Sequence, residues 1–156
     1  MIKKMRGFTL LELIVAIVLM GIISVVISRV LLNGYQHFLT AQNISETDWK
    51  GFLVLSRLVD DIHTIRTPED ISTIAATQLT FTNTSNSTVQ YQLSSGTVFR
   101  NGLALATGVQ GFALSYLDKN GSATGTVSAV RFIVISVTLT QDNLTQSFST
   151  VAAVRV

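Results

Sequence analysis

The stretch from Phe8 to Leu32, FTLLELIVAIVLMGIISVVISRVLL, determines how this chain is organised. It contains two charged residues, Glu12 and Arg29. A helix of this length reaches about 37 Å, which is enough to cross a hydrocarbon layer of about 30 Å with some tilt. We therefore predict a membrane-spanning helix. A carboxylate in its second turn is costly in lipid unless it finds a partner.

The residues before this stretch, MIKKMRG, contain three basic side chains, Lys3, Lys4 and Arg6. Basic residues favour the cytoplasmic side, so we expect a cytoplasmic N-terminus and the rest of the chain across the membrane. Without these three, the 11 basic residues of the chain fall to 8 against 9 acidic ones, so the overall basicity does not indicate a nucleic-acid-binding protein. The chain has no cysteine, which excludes a disulfide framework.

A cleaved secretory signal and a plain signal anchor are alternatives for the same stretch. The apolar region of a secretory signal is usually about 7 to 15 residues long, which is shorter than this run. Both alternatives leave the carboxylate of Glu12 unexplained.

Downstream of the span, apolar residues recur at helical spacing, and we expect the same helix to continue to about residue 66, where Thr67-Pro68 ends it. Two pairs of opposite charge at i,i+4 spacing support this part: Glu46 with Lys50 and Arg57 with Asp61. From Thr67 onward short β-rich runs alternate with turn residues. The runs are 78–82, 88–93, 97–99, 103–106, 112–117, 129–140 and 146–154. Asn101-Gly102 is the clearest tight hairpin.

The residues Gly7-Phe8-Thr9-Leu10-Leu11-Glu12 follow the basic start and open the apolar helix. This arrangement resembles the prepilin signature of type IV pilins and of type II secretion pseudopilins. The resemblance implies cleavage between Gly7 and Phe8 by a prepilin peptidase, followed by methylation of the Phe8 α-amine. A glycine at the cleavage site lets an extended backbone lie flat in a protease cleft.

The resemblance also implies a role for Glu12 in subunit assembly. Its carboxylate would meet the terminal amine of a neighbouring subunit and set the register of the filament. Each charge alone is costly in lipid, and pairing removes much of that cost. Neutralisation by the amine of the same chain, about 6 Å away along the axis, and a protonated carboxyl remain alternatives.

The expected fold is therefore α+β and pilin-like, with one long N-terminal helix packed on an antiparallel sheet of about six strands. Residues 1–7 form a leader peptide and residues 8–32 the transmembrane and assembly half of the helix. Residues 33–156 form a periplasmic domain. We expect a single-pass protein of the bacterial inner membrane that later enters a pilus or pseudopilus.

Several downstream segments resemble those of J-type minor pseudopilins and related minor pilins. They are 55–62, 91–93, 98–100, 109–112, 116–118 and 130–134. Many major pilins carry a proline within the membrane helix, whereas the one proline here is Pro68, which argues against a major pilin. The retained Glu12 argues against the tip pseudopilin type that typically lacks this carboxylate.

We expect a minor pilin or pseudopilin in the tip or initiation complex of a type IV pilus or type II secretion pseudopilus. Its expected partners are other pilin subunits through the N-terminal helix, the prepilin peptidase and the inner-membrane assembly platform. The alternative is a filament-displayed subunit that binds a surface, DNA or secreted cargo. Clustering of Arg100, Arg131 and Arg155 on one face would favour DNA. A membrane-anchored enzyme is a third hypothesis.

No catalytic residues, cofactor or metal site are expected. His37 and His63 are far apart and lack acidic neighbours at ligand spacing. Asp60-Asp61 is interpreted as a solvated helix face with Arg57 as partner. Residues 118–121 begin like a calcium loop but lack its later ligands, so we expect a turn.

Overall fold

The computed structural model describes residues 9–142 and 144–155. Gly7 and Phe8 lie outside the described residues, so cleavage and methylation at this position stay predictions. The chain forms two compact units, of which the first ends at Gln42 and the second begins at Asn43. The expected start of the periplasmic domain at residue 33 also stays a prediction.

The first unit consists of the N-terminal part of helix α1, which runs over Leu10–Ile62. From Leu10 to Leu32 its large apolar side chains are 49% to 78% exposed, so this part of the helix has no core of its own. The hydroxyls of Ser24 and Ser28 bond to carbonyls one turn earlier, at 2.7 and 2.8 Å. By length and composition α1 can cross a membrane.

Helix α1 ends earlier than the residue near 66 that the sequence predicts. The Thr64 hydroxyl bonds to the Asp61 carbonyl at 2.6 Å, and the Ile65 amide bonds to the Ile62 carbonyl at 3.0 Å. These bonds replace the continuing i→i−4 pattern and tighten the last turn. Ile65 is thereby turned into the core, where it is fully buried.

Among its described residues, the second unit contains eight strands and two short 3-10 helices, Pro68–Asp70 and Val127–Ala129. The strands are β1 Ile71–Ile74, β2 Gln78–Thr82, β3 Thr88–Ser94, β4 Thr97–Arg100, β5 Leu103–Thr107, β6 Val109–Leu117, β7 Phe132–Gln141 and β8 Leu144–Ala153. They form a five-stranded sheet in the order β1-β2-β3-β4-β5 and a three-stranded sheet in the order β6-β7-β8. Every pairing is antiparallel.

This arrangement corrects the expectation of one sheet of about six strands. The chain turns sharply at Gly108, whose φ is +77°, a conformation that favours glycine. Strand β6 then pairs with β7 instead of extending the first sheet beyond β5. Strand β1 was not predicted, because it has only four residues and directly follows the turn residues 68–70.

The predicted hairpin at Asn101-Gly102 is confirmed. These residues have φ values of +50° and +79°, as a two-residue type I′ turn requires. The turn pairs Arg100 with Leu103 across β4 and β5.

Within the second unit, one face of α1 packs on the sheets. Its buried positions recur at helical spacing and are Thr47, Gly51, Val54, Leu58, Asp61 and Ile62. A Cβ atom on Gly51 would lie 2.5 Å from the Phe148 ring, so a glycine here allows the helix to approach β8 closely. The α+β, pilin-like fold class is thus confirmed: a long N-terminal helix packs on antiparallel β-structure.

Candidate functional site

The start of α1 is fixed by Thr9, a role that the sequence interpretation missed. The Thr9 hydroxyl accepts a hydrogen bond from the Glu12 amide at 3.3 Å, and the Thr9 carbonyl accepts one from Leu13 at 3.2 Å. Thr-x-x-Glu is the signal of a capping box, in which threonine binds an otherwise unpaired amide of the first turn. Thr9 therefore caps the helix at the beginning of the apolar segment.

The carboxylate of Glu12 is exposed on this first turn. Among the described residues it forms no ion pair and accepts no hydrogen bond. The next basic residue along the helix, Arg29, lies about 25 Å away at 1.5 Å per residue, which is beyond reach. Within residues 9–142 and 144–155, therefore, no basic side chain neutralises Glu12.

A second group of functional interest surrounds Asp61, in the last turn of α1. Its carboxylate accepts hydrogen bonds from Arg100 Nε at 2.6 Å, Arg100 Nη2 at 3.2 Å and the Tyr91 hydroxyl at 2.6 Å. Tyr91 and Arg100 are directly opposite each other on β3 and β4. Asp61 is 8% exposed, so this cluster joins the helix to the five-stranded sheet in a largely dry environment.

The charges of this cluster favour one protonation pattern. Burial and the neighbouring Asp61 carboxylate raise the pKa of the Tyr91 hydroxyl, so tyrosine remains a hydrogen-bond donor. The hydrogen bond to Asp61 raises the pKa of Arg100 as well. The interpretation of Asp61 as part of a solvated face is therefore wrong. Asp60 is exposed, and the expected partner Arg57 is a distant one, at 3.9 Å.

Replacing Asp61 by Ala is expected to lower the free energy of unfolding by about 2–3 kcal/mol, because Arg100 and Tyr91 then lose their acceptor. The value is below that of a fully buried pair because the Arg100 side chain is 25% exposed. Asp60→Ala is the matched control and should change stability by less than about 0.5 kcal/mol. Urea unfolding of the full chain in detergent, followed by circular dichroism, measures the free energy of unfolding of both variants. Equal effects of the two substitutions would contradict the role of Asp61 as the buried acceptor that joins α1 to the five-stranded sheet.

A second polar group joins α1 to the end of β7 and the β7–β8 turn. The predicted Glu46–Lys50 pair is confirmed at 2.7 Å, and both side chains bond to Gln141 at the end of β7, at 3.0 and 3.3 Å. The hydrogen bond from Lys50, followed by that from Gln141, lowers the pKa of Glu46. Asn43 donates a hydrogen bond to Asp142 at 2.7 Å. The β7–β8 turn is thus held to the first turns of α1 in this unit.

The three arginines singled out in the sequence do not form a single cluster. Arg100 is engaged by Asp61. Arg131 donates hydrogen bonds to the carbonyls of Ser128 and Val130, and with Lys119 it lines a depression of about 280 Å³. Arg155 and His63 line a neighbouring depression of about 400 Å³. Both depressions include Ala153 and Val154, so they lie side by side at the end of β8.

Within residues 9–142 and 144–155 no three His, Cys, Asp or Glu side chains come together as a metal site. The loop at Asp118 forms the expected turn. Asp118 Oδ1 accepts hydrogen bonds from the amides of Asn120 and Ser122, at 2.8 and 2.9 Å. Its carboxylate therefore organises the loop backbone.

Comparison with known proteins finds a similarity at the N-terminal end of the chain. A family model described as the prokaryotic N-terminal methylation motif matches residues 2–28. This region includes Gly7, Phe8, the Thr9 cap, Glu12 and most of the exposed apolar helix. No curated protein and no solved structure matches the chain.

Proposed function

Since the methylation motif marks this chain as a type IV prepilin-like protein, we propose that it is a minor pilin or pseudopilin subunit. In this proposal the prepilin peptidase removes residues 1–7 at the inner membrane and the new Phe8 amine is methylated. The second unit, from Asn43 onward, lies in the periplasm. The mature subunit then assembles with other pilin-like subunits through α1. The proposal includes no enzymatic activity.

The observation that carries the proposal is the methylation motif on an apolar helix whose single early acid has no partner within the described residues. The apolar surface from Leu10 to Leu32 is compatible with lipid and equally with the helices of neighbouring subunits. Such a segment is suited to storage in the bilayer before transfer into a filament. Glu12 then gives the transfer a defined end point, because its charge is neutralised where a neighbour's Phe8 amine meets it.

The minor role is supported by the resemblance to J-type pseudopilins and by the position of the one proline. Pro68 lies in the short helix after α1, and α1 itself runs without a proline from Leu10 to Ile62. Three of the resembling segments, 55–62, 91–93 and 98–100, meet in the Asp61, Tyr91 and Arg100 cluster. They therefore contribute to the stability of the second unit.

Quantitative mass spectrometry of purified filaments tests the minor role. We expect the chain at a small fraction of the amount of the main subunit, and immunogold labelling of the second unit should mark filament ends. A chain that forms most of the filament mass, or labels its whole length, would contradict the minor role while leaving prepilin processing intact.

A filament-displayed binding subunit is the second candidate. It is supported by the side-by-side depressions at the end of β8, where Lys119, Arg131, Arg155 and His63 gather. A polyanion such as DNA would be recognised there by charge, and its binding would weaken steeply with salt. The engagement of Arg100 by Asp61 removes one of the three arginines from this surface.

A further inference from the structure

The edges of the two sheets differ in how they are protected against pairing with a strand of another molecule. Strands β1 and β5 have four and five residues, and each shows a register shift in its pairing. The free side of β6 is covered, because Leu114 bonds to the Ala76 carbonyl at 2.7 Å and Thr124 bonds to the Tyr116 carbonyl at 2.9 Å. Short strands, bulges and covering segments are the usual means by which proteins prevent unwanted strand pairing.

In the part of the chain that the structure describes, strand β8 has none of these protections. It has ten residues, LTQSFSTVAA, and contains no charge and no proline. It pairs with β7 without a register shift, from Leu144 opposite Gln141 to Ala153 opposite Phe132. A long, regular and uncharged edge strand is a ready template for another strand.

The hydrogen-bond pattern shows which groups of β8 face the free edge. The Val154 amide donates to the Arg131 carbonyl at 2.8 Å, one position beyond the strand. Antiparallel pairs alternate between bonded and non-bonded, so the backbone groups of even-numbered residues of β8 face β7. The odd-numbered residues present their N–H and C=O groups to the free edge: Thr145, Ser147, Ser149, Val151 and Ala153. No hydrogen bond among the described residues reaches these backbone groups.

We propose that the free edge of β8 receives an extended, uncharged segment of another subunit of the same filament, which adds to the sheet as an antiparallel strand. This inference rests on the proposed function. A row of unpaired backbone groups selects an extended chain, and main-chain hydrogen bonds supply the affinity in such strand addition. The added strand would also cover Val151, which is 56% exposed.

The outer face beside this edge indicates the chemistry of the partner. Hydroxyl pairs cross from β7 to β8 at Ser136–Ser149, Thr138–Ser147 and Thr140–Thr145, with distances of 3.2, 3.0 and 2.9 Å. A partner with serine or threonine on the same face continues this row, because such side chains hydrogen-bond across neighbouring strands. A charged side chain facing this row would find no counter-charge on β8.

Two copies held in the same orientation do not supply each other with the antiparallel strand proposed here. Within the second unit β8 runs alongside α1: Asn43 bonds to Asp142 before the strand, Gly51 lies against Phe148, and His63 borders Ala153. Copies with the same orientation would present their β8 strands in parallel. The partner segment must run from the His63 end toward the Asn43 end.

The test uses the full chain in detergent micelles and a labelled peptide with the β7 sequence, residues 132–141, flanked by added lysines for solubility. This sequence is an uncharged segment that already pairs antiparallel with β8. Val151→Pro removes one N–H at the free edge without removing a bond to β7. Val151→Ala is the matched control, because it keeps the N–H and shortens the side chain. Ser147→Lys is a second edge variant.

We expect saturable peptide binding to the wild type and to Val151→Ala, and binding at least about tenfold weaker to Val151→Pro and Ser147→Lys, which equals about 1.4 kcal/mol. Circular dichroism should show the same fold for all four proteins. Absence of binding to the wild type, or equal binding to Val151→Pro and Ser147→Lys, would overturn the proposal. Dimerisation of the wild type that is lost in Val151→Pro would replace the proposed partner with a second copy.

Analysis of the same variants in the producing cell separates this inference from the proposed function. Val151→Pro should be cleaved after Gly7 like the wild type but enter filaments less well than Val151→Ala. If the wild type is not cleaved, the proposed function fails. If all variants are cleaved and assemble equally, and the peptide does not bind, the strand-addition proposal fails alone.

Discussion

Replacing Glu12 by Leu is expected to leave membrane insertion and cleavage intact and to reduce incorporation into filaments about a hundredfold. The mature Phe8 amine then enters the filament without a counter-charge. An unpaired charge in an apolar helical environment costs about 2.5–3.5 kcal/mol, and each 1.4 kcal/mol corresponds to about a factor of ten. Immunoblots of the membrane fraction measure insertion and cleavage, and immunoblots of the sheared-filament fraction measure incorporation.

Gly21→Leu is the matched control for the Glu12 variant. It also adds a leucine to the exposed apolar part of α1, and a Cβ at Gly21 would meet nothing within 4 Å. If Gly21→Leu enters filaments normally and Glu12→Leu does not, the loss of the Glu12 charge is the cause of the poor incorporation. Equal incorporation of Glu12→Leu and wild type would favour neutralisation within one chain, or a protonated carboxyl, over pairing between subunits.

Replacing Gly7 by Leu is expected to leave nearly all of the chain as an uncleaved precursor in the inner membrane. A side chain at this position prevents the extended backbone from lying flat in the cleft of the peptidase. The precursor keeps residues 1–7 and lacks a methylated Phe8, which intact-mass measurement distinguishes from the mature chain. Gly34→Leu is the control, since it lies downstream in α1 with nothing within 4 Å of its Cβ position. Normal maturation of Gly7→Leu would contradict recognition by a prepilin peptidase.

The features that were predictable from sequence are those with local signals. The apolar run predicted the exposed part of α1, and strand β2 has the bounds 78–82 of the β-rich run predicted there. Asn101-Gly102 adopts the turn that its residue types require. The capping signal Thr9-x-x-Glu12 was also present in the sequence, although its structural role was recognised only from the hydrogen bond.

The features that were missed depend on contacts distant in sequence. Asp61 and Arg100 are 39 residues apart, and no local pattern indicates that their side chains meet at 2.6 Å. The split into two sheets depends on the direction in which the chain leaves Gly108. The unprotected edge of β8 becomes apparent only when the strand order shows that it has one neighbour. Tertiary pairing, rather than propensity, decides all three features.

Intact-mass and fragment analysis of the chain from membranes of the producing cell tests prepilin processing most directly. We expect a mature chain that begins at Phe8, carries one methyl group on its α-amine and retains the whole of α1, Leu10–Ile62. A chain that still begins at Met1 would contradict prepilin processing, and so would a chain cleaved beyond Leu32, as in an ordinary secreted protein.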